Sequence, residues 1–217
     1  MFKNYITTAF RNFKRNKLFA LINISGLAIG ISAALIIYLI VQYEFSFEQF
    51  RQDKDRIYRI TSDLSFAGGE RFKNSGVPMP MPEAVRKEVT GIDILTHFVT
   101  ANETKVSIPG NGVQPATNFK KQADIIFADE NYFKLFQQER IAGGSNASLK
   151  QPMQVILTES RAKAYFGSLP AAQVLGKQVV YDDSIRTTVI AVVKDLDVST
   201  DFNFKEFIFL SKIKETE

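Results

Sequence analysis

From Leu18 to Tyr43 the chain reads LFALINISGLAIGISAALIIYLIVQY, 26 residues without one charged side chain, and Glu44 ends the run. As an α-helix it would be about 39 Å long, more than the ~30 Å hydrocarbon layer of a bilayer. A secretory signal has an apolar core of about 7–15 residues that closes in a small-x-small cleavage site. This run is longer, and Tyr38, Tyr43 and Phe45 end it with aromatic rings suited to a membrane interface. A buried helix of a large soluble domain is the competing reading, but the flanks are those of an anchor. The segment is expected to span a membrane and remain there.

Charge sets the expected orientation. Before Leu18 the chain carries Lys3, Arg11, Lys14, Arg15 and Lys17 and no acidic residue. Short basic flanks stay on the cytoplasmic side, so the N-terminus is expected inside and everything after Glu44 outside. The net charge is +4 and the first 17 residues hold +5, leaving −1 for the rest. The basic balance therefore belongs to a membrane-proximal segment and gives no reason to expect nucleic acid as a partner.

Phe2, Ile6, Ala9, Phe10 and Phe13 recur at three- and four-residue spacing, with most of the cations off that stripe. This is the pattern of an amphipathic helix lying against membrane lipid at the inner leaflet. Within the span, Gly26 and Gly30 form G-x-x-x-G, a spacing that lets a second helix approach closely. Glycine is common in membrane helices, so the motif alone is weak.

The 174 residues from Glu44 onward suffice for one sizeable domain or two small ones. Cysteine is absent, so stability must come from an apolar core, for which 19 Phe and 7 Tyr supply bulk. Alternation predicts a strand at 56–64, a loop at 66–80, a helix from Pro82 toward Gly91 and a strand at 94–100. The connecting helix favours placing those two strands side by side. A short strand at 105–108 sits among Pro109, Gly110, Gly112 and Pro115, as in a hairpin or loop. A strand at 123–128 leads to a helix at 129–136, with Asp129 as its N-cap. Further on, a strand at 153–157 precedes a helix capped by Thr158 and stopped at Gly167. Strands at 177–181 and 186–193 flank the turn Asp182-Asp183-Ser184, and 207–210 begins another strand.

Four phrases, FRNFKRNKLFALINISGLAIGI, FSFEQFRQDKDRIYRI, FADENYFKLF and LTESRAKAYFG…LGKQVV…TTVIAVVKDL, together resemble the FtsX-like ABC-transporter permeases with a MacB-like periplasmic core domain. The resemblance covers nearly the whole chain, in the family's order. It implies an inner-membrane permease subunit, its main domain periplasmic, that couples a cytoplasmic ATPase to movement of the periplasmic domain. The implied outcomes are export, extrusion of lipoproteins, peptides or drugs, or control of a cell-wall hydrolase. It also implies as partners an ABC ATPase subunit, a second permease half or copy, and a periplasmic adaptor or outer-membrane protein. No second run of 18 apolar residues follows Tyr43, so the family's later spans are missing and the chain is expected to be the N-terminal part of a longer permease.

The expected fold is α+β, one transmembrane helix followed by a two-lobed mixed α/β periplasmic domain. Residues 1–17 form the cytoplasmic amphipathic segment, 18–43 the span, 44–55 a stalk and 56–217 the core domain. Its first lobe is expected at about 56–122 and its second at about 123–205, with 206–217 the start of a return to the first lobe, truncated. The stalk is expected to extend the membrane helix rigidly, since neither Gly nor Pro occurs from Leu35 to Ala67.

Enzymatic chemistry finds no constellation. His97 is the one histidine, and with no cysteine it cannot furnish a zinc site. Its place between Leu95 and Val99 suits a half-buried structural role. Gly68-Gly69 and Gly143-Gly144 lack the G-x-x-x-x-G-K-[ST] loop, so ATP must be bound by another polypeptide. Glu83/Glu88 and Asp182/Asp183 read as a solvated helix face and a turn, and Ser160 and Ser168 lack a G-x-S-x-G setting. The expectation is a non-enzyme with no catalytic, cofactor-binding or metal-ligating residues and no cofactor. A single-pass anchored periplasmic sensor or binding module is the alternative.

Overall fold

The computed structural model describes residues 2–51, 53–65, 68–110, 115–144 and 149–210. It divides into two compact units, Met1–Asp55 and Arg56–Glu217.

In the first unit, α1 (Phe2–Arg15) and α2 (Lys17–Glu44) meet at Asn16, whose backbone (φ −119°, ψ 56°) leaves the helical region. Among the described residues α2 is the one helix long and apolar enough to cross a membrane, and none of its residues is buried by protein. The expected helical stalk is not present: α2 ends at Glu44. The Ser46 N–H (3.0 Å) and hydroxyl (2.6 Å) both donate to the Tyr43 carbonyl, a tightened turn in place of the next helical bond. Two residues on, Glu48 is left-handed (φ 56°), a conformation no right-handed helix can continue through. The segment instead runs as turns to a short 3₁₀ turn at Lys54–Arg56.

In the second unit, β1 (Ser62–Ser65) and β2 (Arg71–Asn74) pair antiparallel with each other, and α3 (Met81–Glu88) follows. The expected β-α-β arrangement is thus corrected twice. The region read as a loop contributes β2, and β3 (Phe98–Ala101) pairs with β6 (Ile125–Ala128) rather than with β1. Burial decides the second choice. The Phe98 ring packs edge-on against Tyr132 and Phe204, whereas β1 is largely exposed.

The other strands are β4 (Thr104–Ile108), β5 (Thr117–Gln122), β7 (Arg140–Ala142), β8 (Gln154–Thr158), β9 (Gln178–Tyr181), β10 (Ile185–Val193) and β11 (Glu206–Phe209). They join β3 and β6 in one nine-stranded sheet, ordered β3-β6-β11-β8-β10-β9-β4-β5, with β7 also on β10. The division expected between residues 122 and 123 therefore does not separate the strands, because β3, β4 and β5 share a sheet with everything after them. The class remains mixed α+β.

This order forces the sheet to curl. In it β3 and β4 stand six places apart, about 29 Å in a flat sheet at ~4.8 Å per strand. Only Asn102 and Glu103 connect them, a reach of roughly 11 Å. The ends must therefore bend toward each other.

Curling buries both faces. Ile125, Val155, Leu157, Val179 and Ile208 face one core with α5 (Glu159–Phe166) and α6 (Ala171–Val174). Their neighbours Ile126, Ile156, Ala191 and Phe207 face a second core with Tyr132 of α4 (Tyr132–Leu135) and Phe136. Strands covered on both sides are why IIFA, VIL and FIF are continuous apolar runs, and why parallel pairs (β8 with β10, β6 with β11) occur.

The helix α5 starts and stops as its sequence predicts. Thr158 Oγ1 accepts the Arg161 N–H (3.4 Å), and Gly167 ends the helix at φ 68°. The short α4 differs: Asn131 takes the N-cap position, and Asp129 instead accepts the Asn131 N–H in a turn ahead of it.

Candidate functional site

The deepest polar cluster gathers around Glu206, at the first residue of β11, whose side chain is wholly buried. The Tyr165 and Tyr181 hydroxyls each donate to one of its carboxylate oxygens. Arg161 Nε lies 3.2 Å from Oε1, an ion-pair contact whose N–H is not aligned for a hydrogen bond. The guanidinium also donates to the Ala123 carbonyl (2.7 Å) and to Gln122 Oε1.

Helical spacing puts Arg161 and Tyr165 on one face of α5, Tyr181 closes β9, and β11 carries the acid between them. Burial raises the Glu206 carboxyl above the ordinary glutamate range. Tyr165, Tyr181 and Arg161 offset this only in part, and Asp124 adds to the rise. Burial and the adjacent carboxylate push both tyrosines upward, so they remain neutral donors. The cluster centres on a carboxylate wholly shut from solvent. It pins α5, β9 and β11 together where the chain re-enters the sheet.

A second cluster surrounds the single histidine, which precedes β3 instead of lying inside a strand. His97 Nδ1 is 3.3 Å from Asp129 Oδ2, and the Thr96 hydroxyl donates to Oδ1 (2.6 Å). Burial alone would raise the Asp129 carboxyl. The contacts with His97, Thr96 and the Asn131 amide outweigh it and hold the carboxyl below the ordinary aspartate value. His97 is half-buried, and the pair fixes the entry to α4.

The other residues singled out in the sequence do not converge. Glu83 and Glu88 are exposed on α3. Asp182 accepts the Lys105 N–H (2.9 Å) and Asp183 pairs with Lys105 Nζ (2.7 Å), so the turn straps β9 to β4. Ser160 caps α5 through Asp195, which accepts both its N–H and its hydroxyl. Ser168 borders an open groove with Pro109, Pro115 and Phe166. Among the described residues no three His, Asp or Glu side chains stand close enough to hold a metal.

Of the pair Gly143-Gly144, Gly143 is held by sterics. At Gly143 (φ 97°) an added Cβ would lie 2.7 Å from the Ile190 carbonyl oxygen and 2.8 Å from Ala191 Cβ. Gly143→Ala is therefore expected to lower stability by more than about 2 kcal/mol, from the left-handed backbone and a clash that backbone cannot relieve. Thermal melting of the variant checks this, and a melting temperature equal to wild type would exclude the close approach.

The sequence reading missed the Glu206 cluster. Its one visible signal is an acidic residue, next to Lys205, at the head of the apolar run FIFL.

The sequence profile of the MacB-like periplasmic core domain matches residues 20–216. No curated protein matches the chain. In structure it is similar to a domain of a protein assigned as a permease from Porphyromonas gingivalis, at 20% identity and TM-score 0.49, over 64% of this chain and 55% of that one. It is also similar to the periplasmic region of MacB from Actinobacillus actinomycetemcomitans, at 19% identity and TM-score 0.41, over 59% of this chain and 54% of that one. The chain thus spans about half the length of each of these structures.

Proposed function

Because the chain belongs to the family of MacB-like periplasmic core domains, we propose that it is a permease subunit which couples a separate cytoplasmic ABC ATPase to movement of its external domain. One observation carries the reading: the family match begins inside α2 and runs to residue 216, so apolar helix and mixed domain match as one piece. The proposed topology places the basic N-terminus in the cytoplasm, α2 across the inner membrane and residues 56–217 in the periplasm. In this reading ATP binding falls to the separate ATPase, and these 217 residues carry no G-x-x-x-x-G-K-[ST] loop. A second permease half or copy has room to pack at Gly26 and Gly30, where an added Cβ would meet nothing within 4 Å. No residue is assigned a catalytic role.

The segment from Phe45 to Asp55 is then the mechanical link. Its residues 45–50 form turns held by local bonds, such as Ser46 to Tyr43 and Arg51 to Glu48. A flexible Gly-Ser linker inserted after Glu48 in the permease, assembled with its ATPase, is expected to leave ATP hydrolysis intact and abolish substrate extrusion. Unchanged extrusion would sink the coupling role and favour an anchored sensor. The reading frame beyond codon 217 separates the two as well: further apolar spans support the permease, and a signalling domain supports the sensor.

A further inference from the structure

The corner between α1 and α2 carries a feature that the coupling role does not use. Ile6, Phe10 and Phe13 line an almost wholly apolar groove that ends at Lys14 and Lys17. The three apolar side chains are 59%, 66% and 46% exposed, although each could have been covered had the helix folded onto protein. The groove's volume, about 500 Å³, falls in the range of small-molecule sites, roughly 300–1,000 Å³. Its lining is hydrocarbon, and Lys14 and Lys17 border it with the stems of two basic side chains.

The charges at that end have nothing acidic nearby in sequence to pair with. Residues 1–43 contain no Asp or Glu, while Arg11 and Arg15 add to the positive field on the same helix. An exposed apolar wall beside unpaired cations is costly in water and favourable against an anionic amphiphile. The helix that follows, α2, is the one able to cross a bilayer, so the groove opens where a leaflet would begin.

We propose that this corner is a binding site for an anionic phospholipid of the leaflet around the N-terminus of α2. One acyl chain lies along Ile6, Phe10 and Phe13, and the phosphate is held between Lys14 and Lys17. The proposal rests on the reading of α2 as a membrane span. Its consequence is selectivity: phosphatidylglycerol is held at the corner in preference to phosphatidylcholine, and the lipid fixes the direction in which α1 leaves the bilayer.

The chain has no tryptophan, so Phe10→Trp introduces a single fluorescent reporter in the groove. The full chain is reconstituted in phosphatidylcholine nanodiscs with a minor fraction of lipid brominated on its acyl chains. That brominated lipid is either phosphatidylglycerol or phosphatidylcholine. Stronger quenching by brominated phosphatidylglycerol is expected. Adding Lys14→Gln and Lys17→Gln should weaken binding about fivefold per cation, roughly 30-fold together, and remove most of the preference for phosphatidylglycerol.

Equal quenching by both lipids in the chain that keeps both lysines overturns the site. A separate chain carrying Ile29→Trp tests the span itself. Quenching at position 29 without quenching at position 10 overturns the lipid site alone. No quenching at either position removes the span, and the site with it.

Discussion

Replacing Glu206 by Ala is expected to lower folding stability by about 3–5 kcal/mol, the range for removing one partner of a buried ion pair. The loss exceeds that of an ordinary hydrogen bond because three groups are stranded at once. Arg161 keeps Gln122 and Ala123 but loses its counter-charge, and the hydroxyls of Tyr165 and Tyr181 lose their acceptors. Glu206→Gln is expected to cost less, about 1–3 kcal/mol, since one tyrosine still meets an acceptor while the other faces an NH₂ donor. Urea unfolding of the full chain in detergent, followed by the near-ultraviolet dichroism of its tyrosines, measures both. A combined variant with Glu206→Leu, Tyr165→Phe, Tyr181→Phe and Arg161→Met should recover most of the loss, because the buried charge and hydroxyls go together and the Ala123 carbonyl that Arg161 releases is exposed to water. An Ala variant as stable as wild type would show that the cluster holds nothing together.

The same carboxyl gives the unfolding free energy a recognisable pH slope. A carboxyl whose pKa rises on folding binds its proton more tightly in the folded state. Its contribution is therefore whole below the unfolded value, about 4.3, and declines as pH climbs toward the folded one. Asp129, held low, acts the other way: its contribution is present above the ordinary aspartate value and is lost on acidification. Glu206→Gln should remove the decline on the alkaline side and leave the acid loss at Asp129 in place. Urea midpoints taken across the acid-to-neutral range test this, and a variant that keeps the wild-type slope would assign it to another group.

The legible parts of the fold were those fixed by neighbours in sequence. The strand at 154–158 and its helix were readable because the apolar run, the capping threonine and the terminating glycine lie within fifteen residues. The turn at Asp182-Asp183 was readable too, since both residues tolerate the positive φ they adopt (45° and 57°). Strand partners were not readable. Whether β3 pairs with β1 or β6 depends on which ring clusters bury Phe98, and those rings come from residues 132 and 204. Strand order was not readable for the same reason, because it is a property of closure rather than of any local stretch. The stalk was not readable either: the absence of Gly and Pro permits a helix, but the chain leaves it after Glu44 and turns through a left-handed Glu48. Glu206 escaped notice because its partners sit 25, 41 and 45 residues away, beyond any motif spacing.

Replacing both Leu27 and Ile31 by Lys is expected to release the 217-residue chain, expressed by itself, from the membrane. Each lysine near the middle of a span costs about 2.5–3.5 kcal/mol, so the pair removes roughly 6 kcal/mol. The Leu, Ile, Val and Phe side chains of α2 each contribute about 0.3–0.6 kcal/mol to insertion, a sum of roughly 4–8 kcal/mol before its polar residues are set against it. Two charges therefore cancel most or all of the driving force, and at positions i and i+4 they fall on one helical face, where neither can reach an interface from the centre. Flotation of membranes through a density gradient, probed for the chain, reads the outcome. Wild type should float with the lipid and the double variant should remain below. Tyr58→Lys with Phe72→Lys, two exposed positions in the external domain, should float like wild type and so separate loss of the span from added charge as such. If the chain carrying lysine at 27 and 31 still floats fully, α2 is not what holds the protein in the membrane, and the mechanical role assigned to residues 45–55 loses its fixed end.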